Sequence, residues 1–355
     1  MANKIKPSIP KQVAVKSSIA KPSIQDVARL AGVSTATVSR TLNEPRKVKR
    51  LTLESVRNAV DELGYTPHFG GRALASNKSN TIGALIPTME NAIFARGLQA
   101  LQETLAEAGV TLLIATSGYD PLREYEQIQT LLSRGVDGLL LIGTTRPEKT
   151  YSLLRNQNVP VVIAWSFNSE SEHLCVGFNN RSAAANLANS VLDYGHRQIA
   201  MIAGISKGND RAADRIKGVR QALRKRDLKF APNTLIEAPY NLEEAAQAMA
   251  TLMALDARPT AVICGNDVLA AGAIMSAKQM GISVPDDVSI VGFDNIDLAS
   301  VTTPALTTVH VPHRRMGQAA AKLLLAIGRG EDDLSSIEFQ PELVMRQSLA
   351  APPDR

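Results

Sequence analysis

Beyond Thr81 the apolar and polar positions repeat on two scales. Short apolar runs, "TIGALIP", "VTLLIAT", "VDGLLLI", "VPVVIAW", "RQIAMIAG", "TAVICGND" and "VSIVGFD", are separated by stretches such as "FARGLQALQETLAEAG", where apolar residues recur every three to four positions. The short runs read as buried strands and the longer stretches as amphipathic helices. Their alternation predicts parallel, doubly wound α/β sheets, because a parallel pair needs a long crossover and a helix commonly supplies it. The region is long enough to divide into two such lobes. Ligands in these folds bind outside the carboxyl ends of the strands, which puts the expected site in the cleft between the lobes.

The segment before Thr81 has a different texture. In "SIQDVARLAGVSTATVSRTLN", Ser23 with Asp26 has the form of a capping box, and Ile24, Val27, Ala28 and Ala31 fall on one helical face. Gly32 ends that helix and Ser34 can cap the next, in which Val38 and Leu42 turn inward while Thr35, Ala36, Ser39 and Arg40 share the outer surface. A third helix is predicted in "LTLESVRNAVDELGY", with Val56, Val60 and Leu63 inward and Gly64 as its stop. This is a three-helix cluster of helix-turn-helix type. Its second helix can enter a major groove, with hydroxyls on phosphates and Arg40 reaching a guanine edge.

Charge sharpens the division. Residues 1–80 hold fourteen Lys and Arg against five acidic residues, whereas the remainder holds 25 against 29. Such asymmetry points to a polyanion as partner of the first segment. Residues 1–22 scatter lysines among prolines without a helical period, which predicts disorder there. No apolar run reaches the roughly 18 residues of a membrane span, and the first residues lack the apolar core of a signal peptide, so a soluble, cytoplasmic protein is expected. Cys175 and Cys264 sit in apolar segments and read as reduced core residues.

Enzyme chemistry finds little support. There is no Gly-x-Gly-x-x-Gly turn, no phosphate-cradling Gly-Lys-Ser/Thr loop and no nucleophile elbow, and the five histidines lack metal-ligand spacing. No catalytic residue, metal or cofactor is expected, and His196 reads as a structural surface residue at the start of a strand. An enzyme fused to a DNA-binding module is a distant alternative.

The stretches "IQDVARLAGVSTATVSRTLN", "ELGYTPHFGGRALASNKSNTIGALIP" and "VSIVGFDNIDLA" together resemble the LacI/GalR family of bacterial repressors, over about Ser23 to Leu349. The resemblance implies that Thr35, Ala36 and Arg40 read bases while Ser34, Thr37, Ser39 and Asn43 hold phosphates. It also implies an effector domain of periplasmic-binding-protein type, with lobe crossovers near Asn179, His310 and Pro341. The expected division is a tail over 1–22, the helix-turn-helix over 23–67, a hinge over 68–80, an effector and dimerisation domain over 81–349, and a tail over 350–355. Lobe 1 then comprises 81–179 and 311–340, and lobe 2 comprises 180–310 and 341–349.

In the hinge, Pro67, Gly70 and Gly71 disfavour a helix that stands alone, yet Arg72, Ala73, Leu74 and Ala75 form one readily. By resemblance the hinge folds on DNA beside its dimer mate, Arg72 contacts DNA, and Leu74 wedges the minor groove. His68 and the glycines depart from the asparagine and alanines usual in the family.

For the cleft, position at the carboxyl ends of strands singles out Asn266 and Asp294, and Trp165 ends "VPVVIAW" as an amphipathic platform, while the resemblance singles out Phe94, Arg215 and Tyr240; Arg215 and Asp294 are expected on opposite sides of the cleft. Arginine's planar fork suits hydroxyls or a carboxylate. Asp267 reads as a helix cap. "ATSGYDPLREYEQIQTLLSRGVDGLLL" and "PVVIAWSFNSESEHLCVGFNN" resemble the gluconate-repressor branch, which implies a sugar acid such as gluconate as effector. A neutral sugar is the second expectation and a purine the third, the last because "TPALTTVHVP" resembles the purine repressor. A homodimer on a pseudo-palindromic operator is expected, with effector acting allosterically as an inducer and no tetramerising heptad after Leu349.

Overall fold

A computed structural model describes residues 21–66 and 78–354. The expectations placed on 1–20 and on 67–77, including Arg72 and Leu74, lie outside the described residues. The chain divides into two compact units, Met1–Ser79 and Asn80–Arg355.

The first unit contains α1 (Ile24–Ala31), α2 (Thr35–Asn43) and α3 (Arg50–Leu63). Ser23 and Asp26 form the capping box in both directions, and Gly32 closes α1 at φ 65°, a left-handed conformation natural to glycine. Ser34 caps α2 by accepting the Thr37 N–H, and Gly64 closes α3 at φ 60°. Each polar cap contributes about 1 kcal/mol. Val27, Val38 and Val56 are fully buried in the core, with Ile24, Ala31, Leu42, Val60 and Leu63 packed around them. The apolar spacing therefore selects the faces that meet.

The second unit contains two six-stranded sheets. Lobe 1 carries β1 (Thr81–Ile86), β2 (Thr111–Thr116), β3 (Gly138–Ile142), β4 (Val161–Ala164), β5 (Leu174–Gly177) and β11 (Ile337–Glu338), in the order β11-β5-β4-β3-β1-β2. Lobe 2 carries β6 (Ile199–Gly204), β7 (Leu235–Ala238), β8 (Ala261–Cys264), β9 (Ser289–Asp294), β10 (Thr307–His310) and β12 (Glu342–Val344), in the order β12-β10-β9-β8-β6-β7. Among the described residues the strands form ten pairs, nine parallel and one, β10 with β12, antiparallel, a departure from the all-parallel expectation.

The helices are α4 (Ala92–Glu107), α5 (Pro121–Ser133), α6 (Glu148–Gln157), α7 (Asn180–Asp193), α8 (Asp210–Arg224), α9 (Leu242–Met253), α10 (Asp267–Gln279), α11 (Leu298–Val301) and α12 (His313–Arg329). The chain changes sheet between β5 and β6, between β10 and β11, and between β11 and β12. α12 packs on α4 in lobe 1, and α7 packs on α8 in lobe 2.

Two expectations are corrected. The run "VTLLIAT" does form β2, but as an edge strand with Ile114 41% exposed, because among the described residues no strand pairs beyond it. His196 is buried, not at the surface: its ring bonds Thr260 Oγ1 at 2.9 Å and the Ala350 carbonyl at 2.8 Å. Ala350, expected in a tail, is thereby tied to the lobe, and its N–H also donates to Ser289 Oγ at 3.1 Å.

The α4–α12 contact rests on two glycines. A Cβ at Gly317 would run into the Gly97 carbonyl, and one at Gly97 would strike the Trp165 ring. Both faces are backbone or a locked ring, so neither can yield cheaply. Gly317→Ala should therefore destabilise the second unit by about 1–3 kcal/mol despite alanine's better helix propensity, which urea unfolding would register as a lower midpoint.

Candidate functional site

In the first unit, α2 presents Ser34, Thr35, Ala36, Arg40 and Asn43 as exposed residues, while Thr37 and Ser39 are half-buried. Some of these polar groups already have local work. Ser34 Oγ bonds Thr37 Oγ1 at 2.9 Å, and Asn43 Nδ2 donates to Ser39 Oγ at 3.3 Å. Thr35, Ala36 and Arg40 project from the first turns of the helix, where a groove-inserted helix meets base edges.

In the second unit, the strand ends of both lobes converge on one buried cluster. Arg215, from α8, donates Nε to Asn180 Oδ1 at 3.0 Å, Nη1 to the Gly265 carbonyl at 2.6 Å and Nη2 to Asp294 Oδ1 at 3.3 Å. Its guanidinium lies 3.8 Å from the centroid of the Phe293 ring. Asn180 Nδ2 donates to the Trp165 carbonyl at 3.0 Å, which ties lobe 2 to lobe 1. Trp165, at φ 59°, donates its indole N–H to His313 Nδ1 at 3.0 Å, and the Phe94 ring meets it edge-on at 5.7 Å.

Phe94, Trp165, Arg215 and Asp294 are thus brought together, but one expectation is overturned. Arg215 and Asp294 do not face each other across the cleft; both belong to lobe 2 and bond directly. Asn266 caps α10, its Oδ1 accepting the Leu269 N–H at 2.9 Å, and so takes the role expected of Asp267. Asp267 is instead fully buried, accepting the Ile296 N–H at 2.7 Å and the Thr308 hydroxyl. It thereby braces the turn in which Asp294 and Asn295 stand at φ 102° and 52°.

Burial governs the titration of this cluster. It pushes Asp294 up from its ordinary value, with Arg215 working the other way. Asp267 is pushed up to about 7 by burial and then by the neighbouring Asp294 charge. His313 is pushed down to about 3 by burial and then by the Arg215 charge. An indole N–H can only donate, so His313 Nδ1 accepts and the neutral ring carries its proton on Nε2. Nε2 stands 4.0 Å from Asp294 Oδ1, and neither it nor Asp294 Oδ2 forms a hydrogen bond. A buried donor beside a buried acceptor is costly unless both are satisfied, and a hydroxyl meets both needs.

Outside this cluster lies a cavity of about 670 Å³ between the lobes, bordered by Asn91 and Tyr119 from lobe 1 and by Lys207, Asn209, Tyr240 and Asn241 from lobe 2. Tyr240 forms its inner wall. Its ring crosses the backbone of Gly204, where a Cβ would collide with it, and its hydroxyl accepts from Asn209 Nδ2 at 3.3 Å. The Tyr119 and Tyr240 ring centroids are 6.4 Å apart, and burial pushes both hydroxyls up, so they stay neutral donors. Among the described residues no His, Cys, Asp and Glu cluster could hold a metal ion, and no helix is long and apolar enough to cross a membrane.

Residues 23–68 match the family of bacterial regulatory proteins of lacI type, and residues 188–349 match a periplasmic binding protein-like domain. The HTH-type transcriptional repressor PurR of Vibrio campbellii is 36% identical over 333 residues, covering 92% of this chain and 98% of that protein. The chain belongs to the LacI family. It is a DNA-binding transcriptional repressor built from a helix-turn-helix unit and a two-lobed ligand-binding unit. PurR of Klebsiella pneumoniae is 33% identical over 333 residues, covering 93% of this chain and 97% of that one. Among solved structures, the transcription regulator GntR from Chromobacterium violaceum is similar at 30% identity and TM-score 0.71, covering 76% of this chain and 99% of that chain. The lac repressor dimer bound to operator and the anti-inducer ONPF shares the fold at TM-score 0.82 and 24% identity, covering 94% and 100% of the two chains.

Several residues of this LacI-family cleft escaped the sequence reading. His313 and Asn180 sit just after lobe crossovers, in "VPHRRMG" and "GFNNRSA", and the crossover positions were the available signal. Tyr119 follows a strand in "TSGYD", where strand-end position alone would have nominated it.

His313 also yields a pH prediction. Its folded value lies below the ordinary 6.5, so as pH falls the unfolded chain takes up the proton first. Stability present at pH 7 is then lost between about 6.5 and 3. His313→Gln should remove that contribution, making the slope of unfolding free energy shallower than wild type by up to roughly 1.4 kcal/mol per pH unit. Urea titrations of both proteins from pH 6.5 to 4.5 measure the difference.

Proposed function

We propose that this repressor acts as a cytoplasmic homodimer, reads its operator through Thr35, Ala36 and Arg40 with Ser34, Thr37, Ser39 and Asn43 on phosphates, and is released from DNA when a sugar acid enters the interlobe cleft. The hinge residues Arg72 and Leu74 complete the DNA contacts in this reading. The observation that carries the effector assignment is the chemistry around the cleft. Lys207 brings positive charge to the cavity, Asn91, Asn209 and Asn241 with the two tyrosines and the carboxylates of Glu90 and Asp120 supply hydroxyl partners, and Asp294 Oδ2 with His313 Nε2 await a group that both donates and accepts. A polyhydroxy carboxylate offers all of these complements at once. The 30% identity to a regulator named GntR accords with that class.

A purine is the second reading. It is favoured by relatives of 33–37% identity named PurR and by the "TPALTTVHVP" segment.

Two measurements test the proposal. Arg40→Ala should weaken specific operator binding by about 1–3 kcal/mol and leave a scrambled duplex much less affected; equal losses in fluorescence anisotropy would remove the base-reading role. Calorimetric titration with gluconate, glucose and hypoxanthine, with and without operator, identifies the effector. Gluconate should bind more weakly in the presence of operator, by a factor in the roughly 5–150-fold range of measured couplings, since linkage is reciprocal. Heat from hypoxanthine alone selects the second reading, and an affinity indifferent to operator rejects allosteric control.

A further inference from the structure

The loop after β3 carries an anion-binding arrangement distinct from the Arg215 cluster. Gly143, at φ 78°, turns the chain so that the N–H groups of Thr144 and Thr145 both donate to one oxygen, Asp210 Oδ2, the second at 3.3 Å. The Thr144 hydroxyl adds a third bond to the same oxygen at 3.1 Å. Asp210 comes from the other lobe, as the first residue of α8. Its second oxygen accepts from Arg211 Nη1 at 2.7 Å and from the Arg211 N–H at 2.9 Å. The carboxylate side chain is only 9% exposed. Burial works to raise its pKa, but the Arg211 charge and the Thr144 donors outweigh that and hold it below the usual carboxylate range.

The loop is shaped from within lobe 1. Arg146 donates to the carbonyls of Gly143 and Ile142 and pairs with Glu124, and the Tyr151 hydroxyl donates to the Thr144 carbonyl. These contacts fix the donors without help from Asp210. Gly143 is also sterically required, since a Cβ there would fall on Arg211 Nη1 and on the Asp210 carboxylate. The loop adjoins the cleft: Tyr119 and Gly208 border both the 670 Å³ cavity and a pocket of about 20 Å³ lined by Thr145, Arg146, Asp210 and Arg211.

We propose that the loop from Gly143 to Arg146 is a carboxylate-binding site, that Asp210 fills it from lobe 2 as an internal ligand, and that a ligand carboxylate competes with Asp210 for it. The geometry is that of an anion nest, in which successive main-chain N–H groups converge on one oxygen. The effector chemistry rests on the sugar-acid reading above, but the site itself does not. A carboxylate that displaces Asp210 breaks an interlobe contact, whereas a neutral sugar leaves that contact in place. Ligand charge is thereby coupled to how the lobes are tied. Asp210, tethered beside the loop, has a high effective concentration, so an external carboxylate competes at a disadvantage in wild type.

The test uses the full-length protein and hydrogen–deuterium exchange at Thr144 and Thr145. Asp210→Ala should speed exchange of these two amides at least tenfold, and sodium acetate at millimolar concentration should restore protection where sodium chloride at equal ionic strength does not. A merely structural role for Asp210 would give the acceleration without the acetate-specific rescue, and that result overturns the proposal. Wild type should show little response to acetate. If Asp210→Ala fails to fold, judged by circular dichroism and thermal melting, Asp210→Ser keeps a small polar group at the head of α8 and is read by the same rescue. Acetate rescue in a protein that takes up no gluconate upholds the carboxylate site and removes only the sugar-acid reading.

Discussion

The buried guanidinium of Arg215 organises the ligand-binding unit. A permanent charge has been taken out of water, and three acceptors from three separate parts of lobe 2 surround it: the start of α7, the end of β8 and the end of β9. Removing one partner of a buried pair costs about 3–5 kcal/mol, because the other charge is stranded. Asn180, Gly265 and Asp294 are therefore held in place by the same group. Asn180 passes the constraint to lobe 1 through the Trp165 carbonyl. One continuous set of bonds thereby joins the buried charge of lobe 2 to the backbone of lobe 1.

Much of this organisation was legible because the residues concerned act locally. The capping box of Ser23 and Asp26, the left-handed glycines 32 and 64 and the apolar stripes of α1 to α3 depend on neighbours within one turn, and each formed as expected. Phe94, Trp165, Arg215 and Asp294 lie in one cluster, and the signals that pointed to them were strand-end position for Trp165 and Asp294 and the family resemblance for Phe94 and Arg215. What escaped depended on long-range partners. Whether Asn266 or Asp267 caps α10 turns on Thr308 and Ile296, some thirty to forty residues away. His196 looked like a surface residue because its partners, Thr260 and Ala350, arrive from distant segments.

The placement of Arg215 and Asp294 in one lobe changes the physical picture of closure. A cross-cleft ion pair would have formed or broken with lobe motion, carrying a large electrostatic change. A pair internal to lobe 2 moves as a rigid body, and the contacts that cross between the lobes are of other kinds: the neutral bond of Asn180 to Trp165, the exposed ion pair of Arg96 with Asp297, and the Asp210 carboxylate on the β3 loop. The neutral bond and the exposed ion pair are each worth little, so the balance between arrangements is open to shifts of a few kcal/mol. The strained turn at Asp294, braced by Asp267, adds stiffness where the carboxylate meets Arg215.

Trp165 is the sole tryptophan of the chain. Its indole is stacked on His313 with centroids 6.3 Å apart, hydrogen-bonded to it, and edge-packed by Phe94. All indole emission from this protein therefore originates at the junction of the two lobes, beside an imidazole that can quench it once protonated. The molecule thus carries a built-in optical gauge, seated where the two lobes and the network of the buried arginine meet.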